Sequence, residues 1–220
     1  MKSYIKSCIL FLAVLSSIFI NKSFAQSKDV QSDWKAFIPK GFDTLTTYNV
    51  DLNKDRQQDK VLVLYDKKEN DKDNFDEIDR KLIILFKEGN IWRKVAETDN
   101  AVLCKKCGGV FGDPFEGISI ENNSLIIMHY GGSSWRWAYT HRFRYQNNNF
   151  YLIGQTSHSF WNVEMCEKLD DFLATEYKDE NFITGRYEYR KMDDKKCKWL
   201  KNEKGKHAVK PLQKLTDFTF

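Results

Sequence analysis

The sequence predicts a single, mainly β domain, an antiparallel meander of about eight to ten strands that forms a curled sheet or a partial propeller-like arrangement. Three observations support this prediction. Short apolar runs alternate along the chain with clusters of Asn, Asp and Gly, which is typical of strands joined by turns. Aromatic residues make up 15% of the chain, and they favour pleated packing. No segment shows the long 3.6-residue period of an amphipathic helix.

The order of the elements favours a meander, because short polar turns join neighbouring apolar runs. Strands are predicted over 44–50 and 60–65, on either side of a polar loop. Three hairpins follow, with polar turns of three or four residues. Their strands are 81–87 with 91–97, 118–120 with 125–130, and 135–145 with 150–154. A further strand is predicted over 181–190, 191–206 is polar and lysine-rich, and 211–220 is expected to dock on the domain.

Residues 1–25 have the features of a secretory signal peptide. Two lysines accompany an apolar run over 8–20, and the segment ends in Ser23-Phe24-Ala25, a small-x-small cleavage signal. Cleavage leaves the β domain at 26–220, exported to the periplasm or secreted, with no membrane span. The alternative is an uncleaved membrane anchor, for which the apolar run is short.

The charge of the chain gives no indication of a nucleic-acid partner. The formal net charge is +4, and cleavage after residue 25 removes Lys2, Lys6 and Lys22 but no acidic residue, which leaves +1. The remaining Lys and Arg residues are interleaved with Asp and Glu, which is typical of a solvated surface. The sequence therefore predicts no nucleic-acid binding, and it does not specify an oligomeric state.

Oxygen-bearing residues follow a regular spacing in the nine-residue segment 51–59. The side chains at positions 1, 3, 5 and 9 and the backbone carbonyl at position 7 are candidate metal ligands. These residues are Asp51, Asn53, Asp55, Asp59 and, through its carbonyl, Gln57. Ca²⁺ takes about six to eight oxygen ligands in a tolerant geometry, and alternate residues of a tight loop point several oxygens inward. The sequence therefore predicts calcium as a cofactor.

The loop and the strand after it resemble the FG-GAP/VCBS repeat, whose calcium loop reads Asp-x-Asn-x-Asp-Gly-x-x-Asp before a hydrophobic strand. The match covers 48–66. Leu62 stands where an EF-hand has its Glu, so a site built onto a strand fits better than an EF-hand. Arg56 stands where the family has Gly, and glycine is the residue that adopts φ > 0 without steric cost. No second copy of the loop occurs in the sequence, so a full propeller is not predicted. A polar turn without metal is the alternative.

Four cysteines remain after cleavage, and an even number in an exported chain favours disulfides. They are Cys104, Cys107, Cys166 and Cys197. Three pairings are possible, and we expect Cys104–Cys107 and Cys166–Cys197. The first pair also forms a Cys-x-x-Cys motif, but the glycines that follow it oppose the helix that a thioredoxin-like active site requires. Redox activity and zinc binding remain alternatives to a structural disulfide.

Two tryptophans follow a glycine-rich turn. Trp135 and Trp137 lie on one face if their segment is a strand, where they offer a flat platform to a sugar ring or a peptide. The alternative is that both are core residues.

No catalytic motif is present: the sequence lacks Gly-x-Ser-x-Gly, His-Glu-x-x-His and a phosphate loop. We therefore expect an exported, calcium-stabilised, non-catalytic protein that binds a glycan or a protein. The alternatives are a periplasmic thiol–disulfide enzyme that uses Cys104 and Cys107, and a cell-envelope hydrolase without a recognisable motif.

Overall fold

The computed structural model describes residues 29–71, 73, 76–161, 175–193 and 195–220, and the predicted signal peptide lies outside them. The described strands are β1 (Val30–Gln31), β2 (Phe42–Val50), β3 (Asp59–Asp66), β4 (Arg80–Glu88), β5 (Ile91–Val102), β6 (Phe115–Glu121), β7 (Ser124–Gly132), β8 (Trp135–Gln146), β9 (Asn149–Trp161), β10 (Glu176–Asn181), β11 (Arg186–Asp193) and β12 (Lys198–Lys206). Short 3₁₀ helices span Trp34–Phe37, Lys67–Asn70 and Leu215–Asp217. Within these residues no helix has the length and hydropathy that a bilayer crossing requires.

The strands form two antiparallel sheets in which neighbouring strands are consecutive in the sequence, except that β1 pairs with β5. The first sheet has the order β1-β5-β4-β3-β2, and the second has the order β12-β11-β10-β9-β8-β7-β6. Two-residue turns join β6 to β7 and β8 to β9, and their four asparagines have φ between 47° and 60°, as tight hairpins require. The predicted mainly β meander is confirmed. The predicted number of eight to ten strands is wrong, since the described residues form twelve.

Strands β3 and β4 are buried on both faces of the first sheet, which explains their uninterrupted apolar sequences. The face toward the second sheet carries Val61, Val63, Leu82, Ile84 and Phe86. The opposite face carries Leu62, Leu64, Ile83 and Leu85. The 3₁₀ helix Trp34–Phe37 covers this second face, mainly through the buried ring of Phe37.

The main core lies between the two sheets. The second sheet contributes Ile118, Leu125, Ile127, Phe143, Phe150 and Leu152. The backbone amide of Ile118 also donates a hydrogen bond to Tyr48 Oη across the sheets, at 3.1 Å. Leu215 and Phe218 complete the core, which confirms that 211–220 docks on the domain.

Strands β10 to β12 extend the second sheet beyond the core and contain no buried residue. The prediction of one strand over 181–190 is wrong, because a turn at 182–185 separates β10 from β11. Asn181 closes this turn by accepting the amide of Gly185, which has φ +73°. The sequence did not predict β12, because a strand that is solvated on both faces has no apolar alternation.

Candidate functional site

The segment 51–59 connects β2 to β3 and curls around the carboxylate of Asp51. Asp51 Oδ1 accepts the backbone amides of Lys54 at 2.6 Å and Asp55 at 3.2 Å. Asp51 Oδ2 accepts the amide of Arg56 at 2.9 Å. These hydrogen bonds give the loop its tight turn, and Leu52 anchors it by inserting into the main core.

Arg56 adopts the backbone conformation that favours glycine. Its φ is +70°, in the left-handed region. Glycine adopts this conformation without steric cost, whereas for an arginine it costs about 1 kcal/mol. A left-handed φ at a residue with a side chain adds strain to this turn.

Asp59 is a fully buried carboxylate. Its Oδ2 accepts the amide of Leu52 at 2.8 Å, and its Oδ1 accepts the amide of Lys87 in β4 at 3.1 Å. Burial raises the pKa of Asp59, the two backbone hydrogen bonds oppose this increase, and the negative charges of Asp55 and Asp51 add to it. A cation bound at this end of the loop would stabilise the ionised form.

The remaining candidate ligands are linked to one another. Asn53 Oδ1 accepts the amide of Asp55 at 3.0 Å, and Asn53 Nδ2 donates to Asp55 Oδ2 at 2.9 Å. Asp55 Oδ1 accepts the amide of Gln57 at 2.8 Å. The donor set consists of hard oxygen atoms, and its chemistry fits Ca²⁺. Asp51, Asn53, Asp55 and Asp59, with the carbonyl of Gln57, would hold the ion.

The carboxylates of the loop are nevertheless not gathered into a tight cluster. Among the described residues, the one group of three His, Cys, Asp or Glu side chains whose ligand atoms lie within 4.8 Å of one another is Glu77, Cys104 and Cys107. The two cysteines of that group form a disulfide, so it offers no thiolate to zinc in this state.

The loop meets hairpin turns from both sheets. Gln57 Oε1 accepts the amide of Gly89, in the turn between β4 and β5, at 2.8 Å. Asn123 Nδ2, in the turn between β6 and β7, donates to the carbonyl of Asp51 at 3.4 Å. Fixing the loop therefore also fixes one end of the two-sheet core.

Cys104 and Cys107 form the predicted disulfide, with their Cα atoms 5.1 Å apart. Cys104 is 2% exposed, and the segment after it contains turns instead of a helix. Cys197 is also disulfide-bonded, and its expected partner Cys166 lies outside the described residues. A buried sulfur without a following helix favours a structural bond over a redox centre.

The glycines after the disulfide pack backbone to backbone on the hairpin formed by β7 and β8. Gly109 bridges to Gly132, and the amide of Gly132 donates to the carbonyl of Gly108 at 2.9 Å. A Cβ atom at Gly109 would lie 2.6 Å from the carbonyl oxygen of Gly132, and one at Gly131 would lie 2.5 Å from the ring of Trp137. The disulfide loop can therefore approach the β7–β8 hairpin this closely only because these positions carry no side chain.

Trp135 and Trp137 lie on the same face of β8, in the alternation expected of a strand. Trp135 is 46% exposed, and its ring centroid lies 5.2 Å from that of Trp161 on β9. Trp137 is half-buried, lies over Gly131, and has its ring centroid 5.3 Å from that of Tyr139. The pair is therefore divided: Trp135 faces solvent at the sheet end, and Trp137 supports the hairpin beneath it.

Polar residues continue the tryptophan face onto the neighbouring strands. Trp137 pairs with Ser159 on β9, and Ser159 pairs with Glu176 on β10. Tyr139 pairs with Ser157 in the next such row. Directly paired residues of antiparallel strands lie on the same face. We call Trp135, Trp137, Trp161, Ser159 and Glu176 the tryptophan surface.

An ion cluster below the disulfide loop was not predicted. Arg80 is fully buried and donates from Nε and Nη2 to Glu69, both at 2.9 Å, and from Nη1 and Nη2 to Asp113 at 2.8 and 2.7 Å. Burial disfavours its charge, but the two carboxylates outweigh this effect and raise the pKa of Arg80. The arginine at the start of an apolar strand was a sequence signal for a buried charge. It does not identify the carboxylate partners, because they are 11 and 33 positions away.

Two histidines lie buried on the inner face of the second sheet. His129 Nε2 accepts the amide of Leu103 at 3.2 Å, and the Nδ1 atoms of His129 and His141 have no hydrogen-bond partner. Burial, with smaller contributions from His141 and Arg80, lowers the pKa of His129 to about 3. Burial, followed by the charge of Arg142, lowers the pKa of His141 to about 4. Both rings are therefore neutral packing elements at physiological pH.

Comparison with known proteins adds no family to these observations. No protein-family model, no curated protein and no solved structure matches the chain. Functional interpretation therefore relies on the residues and geometry of this structure, and the FG-GAP/VCBS resemblance of 48–66 remains a prediction.

Proposed function

We propose that this protein is an exported, calcium-stabilised, non-catalytic binding protein that recognises a glycan on the tryptophan surface. The observation that supports this most is the partly exposed Trp135 ring beside Trp161, at a sheet end held by the disulfide and the glycine contact. Exposed aromatic side chains that are rimmed by polar groups are typical of binding sites.

The polar rows beside the rings favour a glycan over a protein ligand. A sugar presents an apolar C–H face and hydroxyl groups along its edge. Trp135 offers a face for the former, and Ser159 offers a hydroxyl for the latter. Glu176 adds acceptor oxygens beside Ser159, although its carboxylate also accepts the Tyr189 hydroxyl at 2.8 Å and lies 3.5 Å from Lys191 Nζ. A protein ligand is the second candidate, since Val110 and Phe111 beside this end are also exposed.

Calcium is assigned a stabilising role, because the loop lies far from the tryptophans. Asn123, which contacts the loop, precedes the first residue of β7, and Gly132 ends that strand beside Trp135. The nine residues of β7 span about 30 Å at roughly 3.3 Å per residue. An ion at the loop would neutralise its carboxylates and fix the distant end of the core.

Export accounts for both the leader-like segment 1–25 and the disulfide. Structural disulfides persist in oxidising compartments, which include the periplasm and the exterior of the cell. The buried Cys104 favours this structural role over the thiol–disulfide enzyme. A hydrolase has less support, since His129 and His141 are buried among aromatic rings.

Replacing Trp135 with alanine is expected to weaken glycan binding at least about five-fold, because a stacked aromatic ring contributes on the order of 1 kcal/mol or more beyond its buried area. Glycan-array binding identifies the ligand, and titration calorimetry measures the loss. Trp137→Ala should show a similar loss together with lower thermal stability, since its ring packs on Gly131.

Trp199→Ala is the matched control, since Trp199 lies on β12, four strands from β8. It should retain full affinity. Equal affinity of the wild type and Trp135→Ala for every glycan bound would remove the tryptophan surface from the proposal. Binding of a protein in place of any glycan would support the second candidate.

Excess Ca²⁺ is expected to raise the free energy of unfolding by about 2.7 kcal/mol when the free ion is 100-fold above its dissociation constant. Thermal unfolding in calcium and in chelator measures this difference. Asp55→Ala should abolish it, because it removes a central ligand of the loop.

Asp43→Ala is the matched control for Asp55→Ala. Asp43 also accepts a backbone amide, that of Thr44, but lies outside the loop. This variant should keep the full calcium response. Identical unfolding curves in calcium and chelator would mean that the loop is a polar turn without metal.

A further inference from the structure

A second concave region lies outside both the calcium-type loop and the tryptophan surface. It is a cavity of about 580 Å³ between the turn that joins β10 to β11 and the segment 207–213. Its larger apolar lining residues are Leu152, Phe182, Val209, Pro211 and Leu212. Small-molecule sites typically have volumes of about 300–1,000 Å³ with mostly apolar walls.

Hydrogen bonds from the backbone amides of 182–184 fix the turn that forms one wall of this cavity. Asn181 Oδ1 accepts the amides of Ile183 at 3.1 Å and Thr184 at 2.9 Å. The amide of Phe182 donates to the carbonyl of Ile153 at 2.9 Å, which holds the turn on β9. This wall is therefore formed before any ligand arrives.

The segment 207–213 forms the opposite wall and is attached at both ends. The amide of His207 donates to the carbonyl of Gly185 at 2.9 Å. At the other end, the amide of Leu152 donates to the carbonyl of Gln213 at 2.8 Å. The ring of His207 also stacks on Tyr187, with centroids 4.1 Å apart. A cavity with two fixed walls binds without a large ordering cost.

The charged groups at the rim are predominantly basic. Arg186 and Lys210 line the cavity, and neither forms an ion pair with another described residue. Glu180 also lines it, but its carboxylate contacts Lys178 at 2.9 Å and accepts a hydrogen bond from Gln155 at 2.8 Å. The acidic group is thus compensated within the protein, while two cationic groups are available to a ligand.

We propose that this cavity binds a small amphipathic carboxylate, with its hydrocarbon body against Phe182, Leu152 and Leu212 and its carboxylate between Arg186 and Lys210. The guanidinium of Arg186 suits a carboxylate because it presents paired N–H donors. The site is independent of the proposed glycan binding, since it uses none of the same residues.

Decanoate is a suitable probe, and decanol is its uncharged counterpart with the same hydrocarbon body. Titration calorimetry on the full protein should show saturable decanoate binding, with decanol at least about ten-fold weaker. The double variant Arg186→Glu/Lys210→Glu should weaken decanoate binding at least about ten-fold, because it replaces both attractive charges with repulsive ones.

The matched control is Lys198→Glu/Lys201→Glu, which makes the same charge change on β12 away from the cavity. It should bind decanoate as the wild type does, and thermal unfolding verifies that both double variants are folded. Absence of saturable binding to the wild type would overturn the proposal. Equal decanoate affinity of both double variants, or equal affinity for decanol and decanoate, would also overturn it.

Discussion

Arg80→Met is expected to lower the free energy of unfolding by about 3–5 kcal/mol, because it leaves the buried carboxylate of Glu69 without its cation and removes the partner of the partly exposed Asp113. The guanidinium is fully buried, and Glu69 beside it is almost fully buried. Neither carboxylate has another cationic partner among the described ion pairs. Chemical denaturation of the purified protein, followed by tryptophan fluorescence, measures the loss.

The same substitution should also loosen the tryptophan surface. Arg80 holds Asp113, and the carbonyl of the adjacent Pro114 accepts the amide of Tyr130 in β7. Loss of this cluster therefore frees the disulfide loop that packs on the β7–β8 hairpin. We expect weaker ligand binding by Arg80→Met even under conditions where the variant remains folded.

Arg93→Met is the matched control. Arg93 forms an ion pair with Glu88 on the neighbouring strand, but both side chains are 40% exposed. Exposed pairs contribute about 0–1 kcal/mol, so the same chemical change should have a small effect here. A loss below about 1 kcal/mol for Arg80→Met as well would show that the buried cluster does not stabilise the fold.

Acidification from pH 6.5 to 4.5 is expected to destabilise the protein through His129 and His141. Their pKa values in the folded protein are about 3 and about 4, below the ordinary value of 6.5. At a pH below 6.5 but above the folded pKa values, the two histidines are protonated in the unfolded chain and neutral in the folded protein. Stability is therefore complete above pH 6.5 and declines as the pH falls, by on the order of 2–3 kcal/mol per histidine at 1.36 kcal/mol per pKa unit.

Other groups affect this pH profile less or at lower pH. His158 is half-buried, and burial lowers its pKa, so it acts in the same direction. The stabilisation from Glu97, whose pKa is lowered by Lys94 and Lys81 against the effect of burial, disappears only below its ordinary value of 4.5. Asp59 acts in the opposite direction because its pKa is raised.

The double variant His129→Gln/His141→Leu tests this assignment. Gln retains an acceptor for the amide of Leu103, and Leu suits the aromatic surroundings of His141. Its free energy of unfolding, measured by denaturation at several pH values, should change much less between pH 6.5 and 4.5. A profile as steep as that of the wild type would assign the acid sensitivity to other groups.

The local sequence predicted those features that depend on short-range chemistry. The apolar runs of β3 and β4 and the asparagine turns after β6 and β8 specify hairpins by themselves, since alternation and turn residues act within a few positions. The spacing of oxygen donors in 51–59 likewise identified the loop, and the spacing of Cys104 and Cys107 identified the disulfide.

Features that depend on contacts between distant residues required the tertiary structure. The ion cluster joins Arg80 to Glu69 and to Asp113, which is 33 positions away. The same holds for the proposed carboxylate site, whose walls meet because 207–213 returns to Leu152. The sequence of β12 is polar and does not predict a strand. Its pairing with β11 in the structure defines it.

The sequence by itself therefore determined the fold class and the candidate chemistry: a β meander, an oxygen-rich loop, a short-range disulfide and two tryptophans on one face. Only the tertiary structure decided which groups are buried or exposed. It placed Asp59 and Arg80 in the interior, Trp135 at the surface and Trp137 against Gly131. The physical reason is that burial depends on which strands pack together, and a residue type carries no information about its distant neighbours.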